Sequence, residues 1–554
     1  MFEQPLAPVG GSLAMSALTA AIPLALLFVL LGVFKIKAWK AALVGLAASV
    51  VLAIVAWQMP VGMALSATAE GAFYGAFPIL WILVNAMWVY QLSVDTGWFA
   101  VLGDKIRSLS DDQRILAILI AFCFGALLES LAGFGAPVAI SAAMLIAAGM
   151  KPMKAAVVSL LANTAPVAFG AMGAPIITLA AVTGIDLHTL SQMAGRQTPF
   201  VALIVPLVLV FLVDGRRGVR QTWPIALVAG ATFGLAQFVT SNFITVEITD
   251  IVASISTVVV VLLMLRVWKP ANPIQLHAEP LTADSDTDLT RIAGGDTLVA
   301  DAVEVKTQGR LRTLGAIAPY AIIIVIFSIS QLPPVKSWLL GNGMVSFRWP
   351  GLDVVSASGK PASAQTFKLD HLRATGTLLL FAGIITALVY RVSPRRMLLA
   401  YREILVKLRF TIVTVLAVLA LSFVMNLSGQ TASLGNALAA AGSFFVVLSP
   451  VLGWVGVAIT GSDTSSNSLF GLLQVTAATK VGLDPVLMAT TNSSAGVLGK
   501  MISPQNLAVA AAAVGMAGKE GDIFRKLVGW SLGLLAAFTV LVVLQASVLS
   551  WMVP

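Results

Sequence analysis

The sequence predicts an all-α polytopic membrane protein with roughly 12–14 transmembrane helices, each about 20 residues long. These fall into two inverted repeats, each with interrupted or re-entrant helices. Three observations lead there. Of 554 residues, 58% are hydrophobic and 11% charged, whereas soluble domains carry roughly 25% charged residues. Apolar runs of spanning length recur, as in Met15 to Phe34 and Ile251 to Trp268. Polar motifs rich in Gly, Pro, Ser, Thr and Asn interrupt some of these runs.

The first run follows "MFEQPLAPVGGSLA". No basic region precedes it, so it reads as a retained helix and not a cleaved signal. Basic clusters then punctuate the chain: Lys35, Lys37 and Lys40; Arg216, Arg217 and Arg220; Arg391 to Arg409; and Lys519, Arg525 and Lys526. Basic loops face the cytoplasm, which predicts a multi-pass membrane protein with both termini outside. The same rule accounts for the net charge of +9 without nucleic acid; the partners are the lipid bilayer and a small solute. A polar, acidic stretch at 268–312 reads as a cytoplasmic linker. It separates a first membrane repeat at 14–267 from a second at 313–551, the latter with an external loop at 333–373. The first repeat starts outside and the second inside, which makes them candidates for inverted repeats.

Each repeat is interrupted twice. The first has "FGALLESLAGFGAPVAI" and "NTAPVAFGAMGAP"; the second has "TGSDTSSNS" and "TTNSSAGVLGKMISPQN". A carboxylate, Glu129 or Asp463, precedes an amide, Asn163 or Asn492, by about 30 residues in each. Broken backbone at membrane depth is tolerated only where it is buried in protein or lines a wet cavity. Half-helix starts offer free N–H groups and a positive dipole end to an anion. Hydroxyls and amides add uncharged ligands for a carboxylate or a hydroxyl. The candidate substrate ligands are therefore Asn163, Thr164, Gly461, Ser462, Thr464, Asn467, Asn492, Ser493 and Lys500. An intramembrane carboxylate costs about 2.5–3.5 kcal/mol on insertion scales, so Glu129 and Asp463 must be paired, hydrated or protonated. Either is a candidate proton carrier; the plainer reading is a cap on a broken helix or a pair with Lys500. Lys500 in turn attracts the substrate carboxylate, neutralises Asp463, or snorkels to an interface.

Other residues carry weaker signals. "SSAGVLGKM" has Ser494 where a P-loop needs its first Gly and Met501 after the Lys, so nucleotide binding is rejected. His188, His277 and His371 are too scattered for a metal cluster. No cofactor and no metal are expected. Arg196 in "GRQTP" is an interfacial anchor or a charge at the outer substrate entrance. Tyr74 and Tyr90 belong to an aromatic packing zone, with a role in the pathway as the alternative. Cys123 sits in an apolar run and reads as a buried thiol.

"LLESLAGFGAPVAI", "NTAPVAFGAMGAP", "TGSDTSSN" and "GKMISPQ" together resemble the bacterial lactate permease family, which includes glycolate permeases. The resemblance extends through "WILVNAMWVYQLSV", "GRQTPF", "DGRRG" and the closing "LQASVLSWMVP". It implies uptake of L-lactate, often also D-lactate and glycolate, with protons across the bacterial inner membrane. It also implies a scaffold part, a mobile transport part, elevator-like movement, and the homodimer common among elevator-type relatives. The expected cargo is a small 2-hydroxymonocarboxylate, and the expected coupling ion is the proton. Sodium coupling is the rival, since oxygen-rich breaks also suit Na⁺. A channel is a second rival. An enzyme is disfavoured, because neither interrupted zone holds a Ser–His pair, a metal-ligand cluster or a cofactor fingerprint.

Overall fold

The computed structural model describes residues 1–131, 135–270, 272–274, 310–356, 359, 361–362 and 365–554. Helices dominate. Among the described residues, ten are long and apolar enough to cross a membrane, or eleven with one bent pair. The expected number was 12 to 14, and the difference has a physical origin. The stretch Leu187–Phe243 counts once but breaks at Asp214 and Gly215. Its two arms lie side by side, with Ser191 Oγ donating to Ser241 O at 3.0 Å and Gly230 set against the Leu203 backbone. Thr375–Val389 is apolar but short. Most of the 268–312 linker lies outside the described residues.

The 333–373 segment is not a plain loop. It contains the helix Pro333–Gly343 and an antiparallel ladder pairing Met344–Arg348 with Thr366–Asp370. Phe2–Glu3 pairs in parallel with Val354–Val355, so the N-terminus lies on this segment. These short strands are the exception to an all-helical chain.

Side-chain contacts sort the connections onto two faces. On one face Gln4 donates to Asn426 O, Arg196 to Asn242 and to Met552 O, and Thr375 to Glu247. Both termini and the 333–373 segment belong to this face. On the other face Arg396 meets Asp95 at 2.8 Å and Lys154 caps Val213 O. There the fully buried Arg114 guanidinium binds Asp112, Asp214, Gln221 and Asn272 O. This clamp ties the start of Gln113–Leu131 to the turn at Asp214.

Two helical hairpins stop inside the bundle. The first runs out along Gln113–Leu131 and back along Ala136–Ala147. Its base is closed by Gln113 Nε2 donating to Gly149 O, on the Arg114 face. The second runs along Phe445–Thr460 and back along Asp463–Val481. Gln474 and Ser466 stitch its arms together through Ser449 O and Gly453 O. Its base rests on Gln430–Leu438, where Ser433 donates to Leu6 O on the terminal face. The hairpins therefore enter from opposite faces. A broken helix follows each one: Pro152–Ala162 with Val167–Thr183, bent by 62°, and Pro485–Lys500 with Pro504–Ala513.

Arg114→Leu leaves Asp112 and Asp214 without their buried cation. Removing one partner of a buried pair costs about 3–5 kcal/mol. A lowered unfolding temperature in detergent is expected, and an unchanged one would show that the clamp is not structural.

Candidate functional site

The two hairpin tips and the two helix breaks meet in the interior. Each tip is made by local sequence. Gly461 ends Phe445–Thr460 at φ +72°, and Ser462 starts the next helix by accepting the Ser465 N–H. Gly135 takes φ +85° and is followed by Pro137 in the first turn of the return arm. Both tips land on one place, the break after Lys500. A Cβ on Gly461 would lie 2.8 Å from Gln505 Oε1, and one on Gly135 would lie 3.3 Å from Asn506 Oδ1. Ser503 restarts that helix by accepting the Asn506 N–H, with Pro504 in the first turn.

The charged centre is one ion pair. Lys500 Nζ lies 2.6 Å from Glu129 Oε1, and both side chains are nearly enclosed, at 7% and 4% exposure. Asn163 Nδ2 donates to the other Glu129 oxygen at 2.9 Å. The pair thus joins the first hairpin, the first break and the second break. Gly170 packs against the Glu129 carboxylate. Beyond it, Ala171, Met172 and Gly173 all adopt left-handed backbone. Non-glycine residues held in such conformations cost about 1–3 kcal/mol each and concentrate at functional sites.

The second hairpin carries an amide and hydroxyl network. Asn492 Nδ2 donates to Asn467 Oδ1 at 2.9 Å and to Ser466 Oγ, while its Oδ1 accepts from Gln474. Asn467 reaches across to Pro175 O in the first broken helix at 3.1 Å. Ser493 Oγ donates to Asp463 Oδ2 at 2.5 Å. Asp463 Oδ1 is buried without a hydrogen-bond partner, as are Asn163 Oδ1, Thr490 Oγ1 and Ser494 Oγ. Buried polar atoms normally find partners, which sets these four apart from the bonded groups of the same helices.

Comparison with known proteins identifies the family. The family model described as "L-lactate permease" matches residues 16–549. The chain belongs to the L-lactate permease family. The L-lactate permease of Bacillus subtilis is 40% identical over all of both chains. The glycolate permease of Escherichia coli is 41% identical over 98% of each. The solved structure of Neisseria gonorrhoeae MtrF covers 87% of this chain and 83% of its own, at 14% identity and TM-score 0.44. That score is too low to speak for a shared fold.

In this family member, the residues singled out in sequence take different positions. Asn163, Asn467, Asn492, Ser493, Asp463, Glu129 and Lys500 converge as described. Thr164 is buried but its hydroxyl turns back to Leu161 O. Gly461 and Ser462 form the second tip, with Thr464 half-buried beside it. The expected alternative in which Lys500 neutralises Asp463 by direct pairing is not what forms. The ammonium goes to Glu129, because the first hairpin delivers that carboxylate to the break. Arg196 makes its hydrogen bonds elsewhere. It binds Asn242 and Met552 O beside an apolar groove of about 710 Å3. Tyr74 packs on Phe367 and Phe423, and Tyr90 on Phe99. Cys123 is fully buried. His188 lies beside Gln192, and His277 is outside the described residues.

Sequence reasoning missed Gln474 and the Gln197 amide, which donates to Thr491 and Gln545. A polar amide in an apolar run was the available signal. It also passed over Glu70 and Asp250, fully buried carboxylates in spanning helices.

Gly461→Ala should impair transport by more than Gly482→Ala. Both glycines have positive φ, but only at Gly461 does an added methyl strike a neighbour. Equal uptake rates of the two variants in vesicles would show that tip contact is unimportant.

Proposed function

We propose that this chain is a secondary active transporter, not an enzyme, that imports L-lactate by proton symport across the bacterial inner membrane. D-lactate and glycolate are further cargo. Its relatives, L-lactate and glycolate permeases, support the substrate class. The observation that carries the mechanism is the buried Lys500–Glu129 pair between the hairpin tips.

A 2-hydroxy acid presents a carboxylate and an adjacent hydroxyl. The carboxylate competes with Glu129 for Lys500. The unpartnered oxygens and hydroxyls of Asn163, Thr490 and Ser494, with the Asn467–Asn492 network, offer sites for the 2-hydroxyl. Ser462 and Thr464 add hydroxyls at the second tip. Once Lys500 turns to the substrate, Glu129 has lost its cation in a buried setting. A bare carboxylate there is costly, so Glu129 takes up a proton. The solute then enters as anion plus proton, and net charge is unchanged. Asp463 is the second carboxyl able to hold a proton; its bond to Ser493 ties that state to the helix that bears Lys500.

Hairpins entering from opposite faces support inverted repeats and alternating access by elevator-like movement of the tip-bearing part. The basic clusters support placing the termini in the periplasm.

Purified protein in liposomes, with radiolabelled L-lactate and an imposed pH gradient, tests this reading. Accumulation should follow the pH gradient and ignore Na⁺. Dependence on Na⁺ instead would overturn proton coupling. Lys500→Met and Glu129→Gln should each lower proton-driven uptake by about tenfold or more, as loss of a buried charge partner does. Asp463→Asn should abolish proton-coupled uptake while leaving the protein in the membrane; normal uptake with normal pH dependence would remove Asp463 from the mechanism.

A further inference from the structure

We propose that Asp250 is a further proton holder, beside Glu129 and Asp463, which supplies Glu129 with its proton and reloads from the face that bears the termini. This rests on the proton-symport reading above and deepens it.

Asp250 lies in the first turn of Thr249–Val267, directly after the segment in which Glu247 binds Thr375 on the terminal face. It is fully buried. Its Oδ1 accepts a single hydrogen bond, from Gln237 Nε2 at 2.9 Å. The same amide nitrogen donates to Ala165 O at 3.3 Å, inside the first helix break, two residues from the Asn163 that holds Glu129. Asp250 Oδ2, Gln237 Oε1 and Ser254 Oγ are buried without partners. The Asp250 helix packs directly on Gln113–Leu131, the helix that bears Glu129.

Among the described residues, Asp250 makes no ion pair. Its helix packs on the two arms of Leu187–Phe243, on Gln113–Leu131, on Gly170–Thr183 and on Arg310–Gln331. On those elements Arg114, Asp214 and the arginines at 216–220 lie at the opposite face. Arg196 is held by Asn242 and Met552 O, and His188 lies beside Gln192. Cys123 and Tyr320 bring no positive charge. Glu247 is engaged by Thr245 and Thr375. Among the described residues, Lys500 pairs with Glu129, Asp463 is bonded by Ser493, and Asp250 is left without a cation. A carboxylate without a cation in a buried site cannot stay charged cheaply, so Asp250 keeps a proton.

The charge balance then dictates the cycle. Before binding, Lys500 is positive, Glu129 negative and Asp250 neutral. The substrate carboxylate takes Lys500. The Asp250 O–H proton passes to Glu129, and Asp250 takes a replacement proton from the terminal face. One anion and one proton have entered and the site is again neutral.

Two measurements test this. Dicyclohexylcarbodiimide labels buried protonated carboxyls, and peptide mass spectrometry locates the label. Without lactate, Asp250 should be labelled and Glu129 not; with saturating lactate, label should also appear on Glu129. An unlabelled Asp250 in the native protein would overturn the proposal. In proteoliposomes, Asp250→Asn should lose about tenfold or more of pH-driven accumulation. Lactate counterflow, which moves no net proton, should fall far less. Accumulation by Asp250→Asn at the parental level would also overturn it. A parental protein that ignores the pH gradient would instead refute proton symport itself.

Discussion

An ammonium and a carboxylate withdrawn from water must find each other, and Lys500 and Glu129 do so at 2.6 Å. Their attraction only offsets the desolvation of both, so such a pair is a poor source of stability. It is a sensitive switch, because anything that claims one partner strands the other. Much of the surrounding architecture serves to bring these two side chains, from distant parts of the chain, to one enclosed point. Glu129 needs the first hairpin to carry it into the bundle, and Lys500 needs a helix that ends there.

The helix breaks follow from that requirement. A continuous helix would present no free backbone ends and would leave no room for two tips. Gly135 and Gly461, with positive φ, turn the chain sharply where the tips touch Gln505 and Asn506. Ser462 and Ser503 cap the restarted helices. Asn467 and Asn492 then lock the second hairpin to its broken helix without adding charge. The result is a wall of amides and hydroxyls, with the Asp463 carboxyl among them, beside the Lys500–Glu129 ion pair.

Much of this was legible in the sequence. Gly, Pro and hydroxyl residues inside apolar runs marked all four interruptions, and a carboxylate followed by an amide recurred in each half. Each carboxylate does meet the second motif of its own half: Glu129 through Asn163, and Asp463 through Ser493. That Lys500 pairs with a carboxylate was one reading of the sequence; which carboxylate was not legible, because the pair with Glu129 spans 371 positions and depends on how the halves dock. Asp250 and Arg114 were passed over for a different reason. Each is one charge at the edge of an apolar run, where a snorkelling side chain looks the same until burial is known. The ladder in the 333–373 segment was obscured by its mixed composition.

The central claim is that substrate and proton bind as one event at the Lys500–Glu129 pair. Calorimetric titration of the detergent-solubilised protein with L-lactate, repeated in buffers of different ionisation enthalpy, measures this directly. Proton linkage predicts an apparent binding enthalpy that varies with buffer, its slope giving about one proton taken up per lactate. An enthalpy that is the same in every buffer would mean that lactate binds without a proton, and would contradict the account.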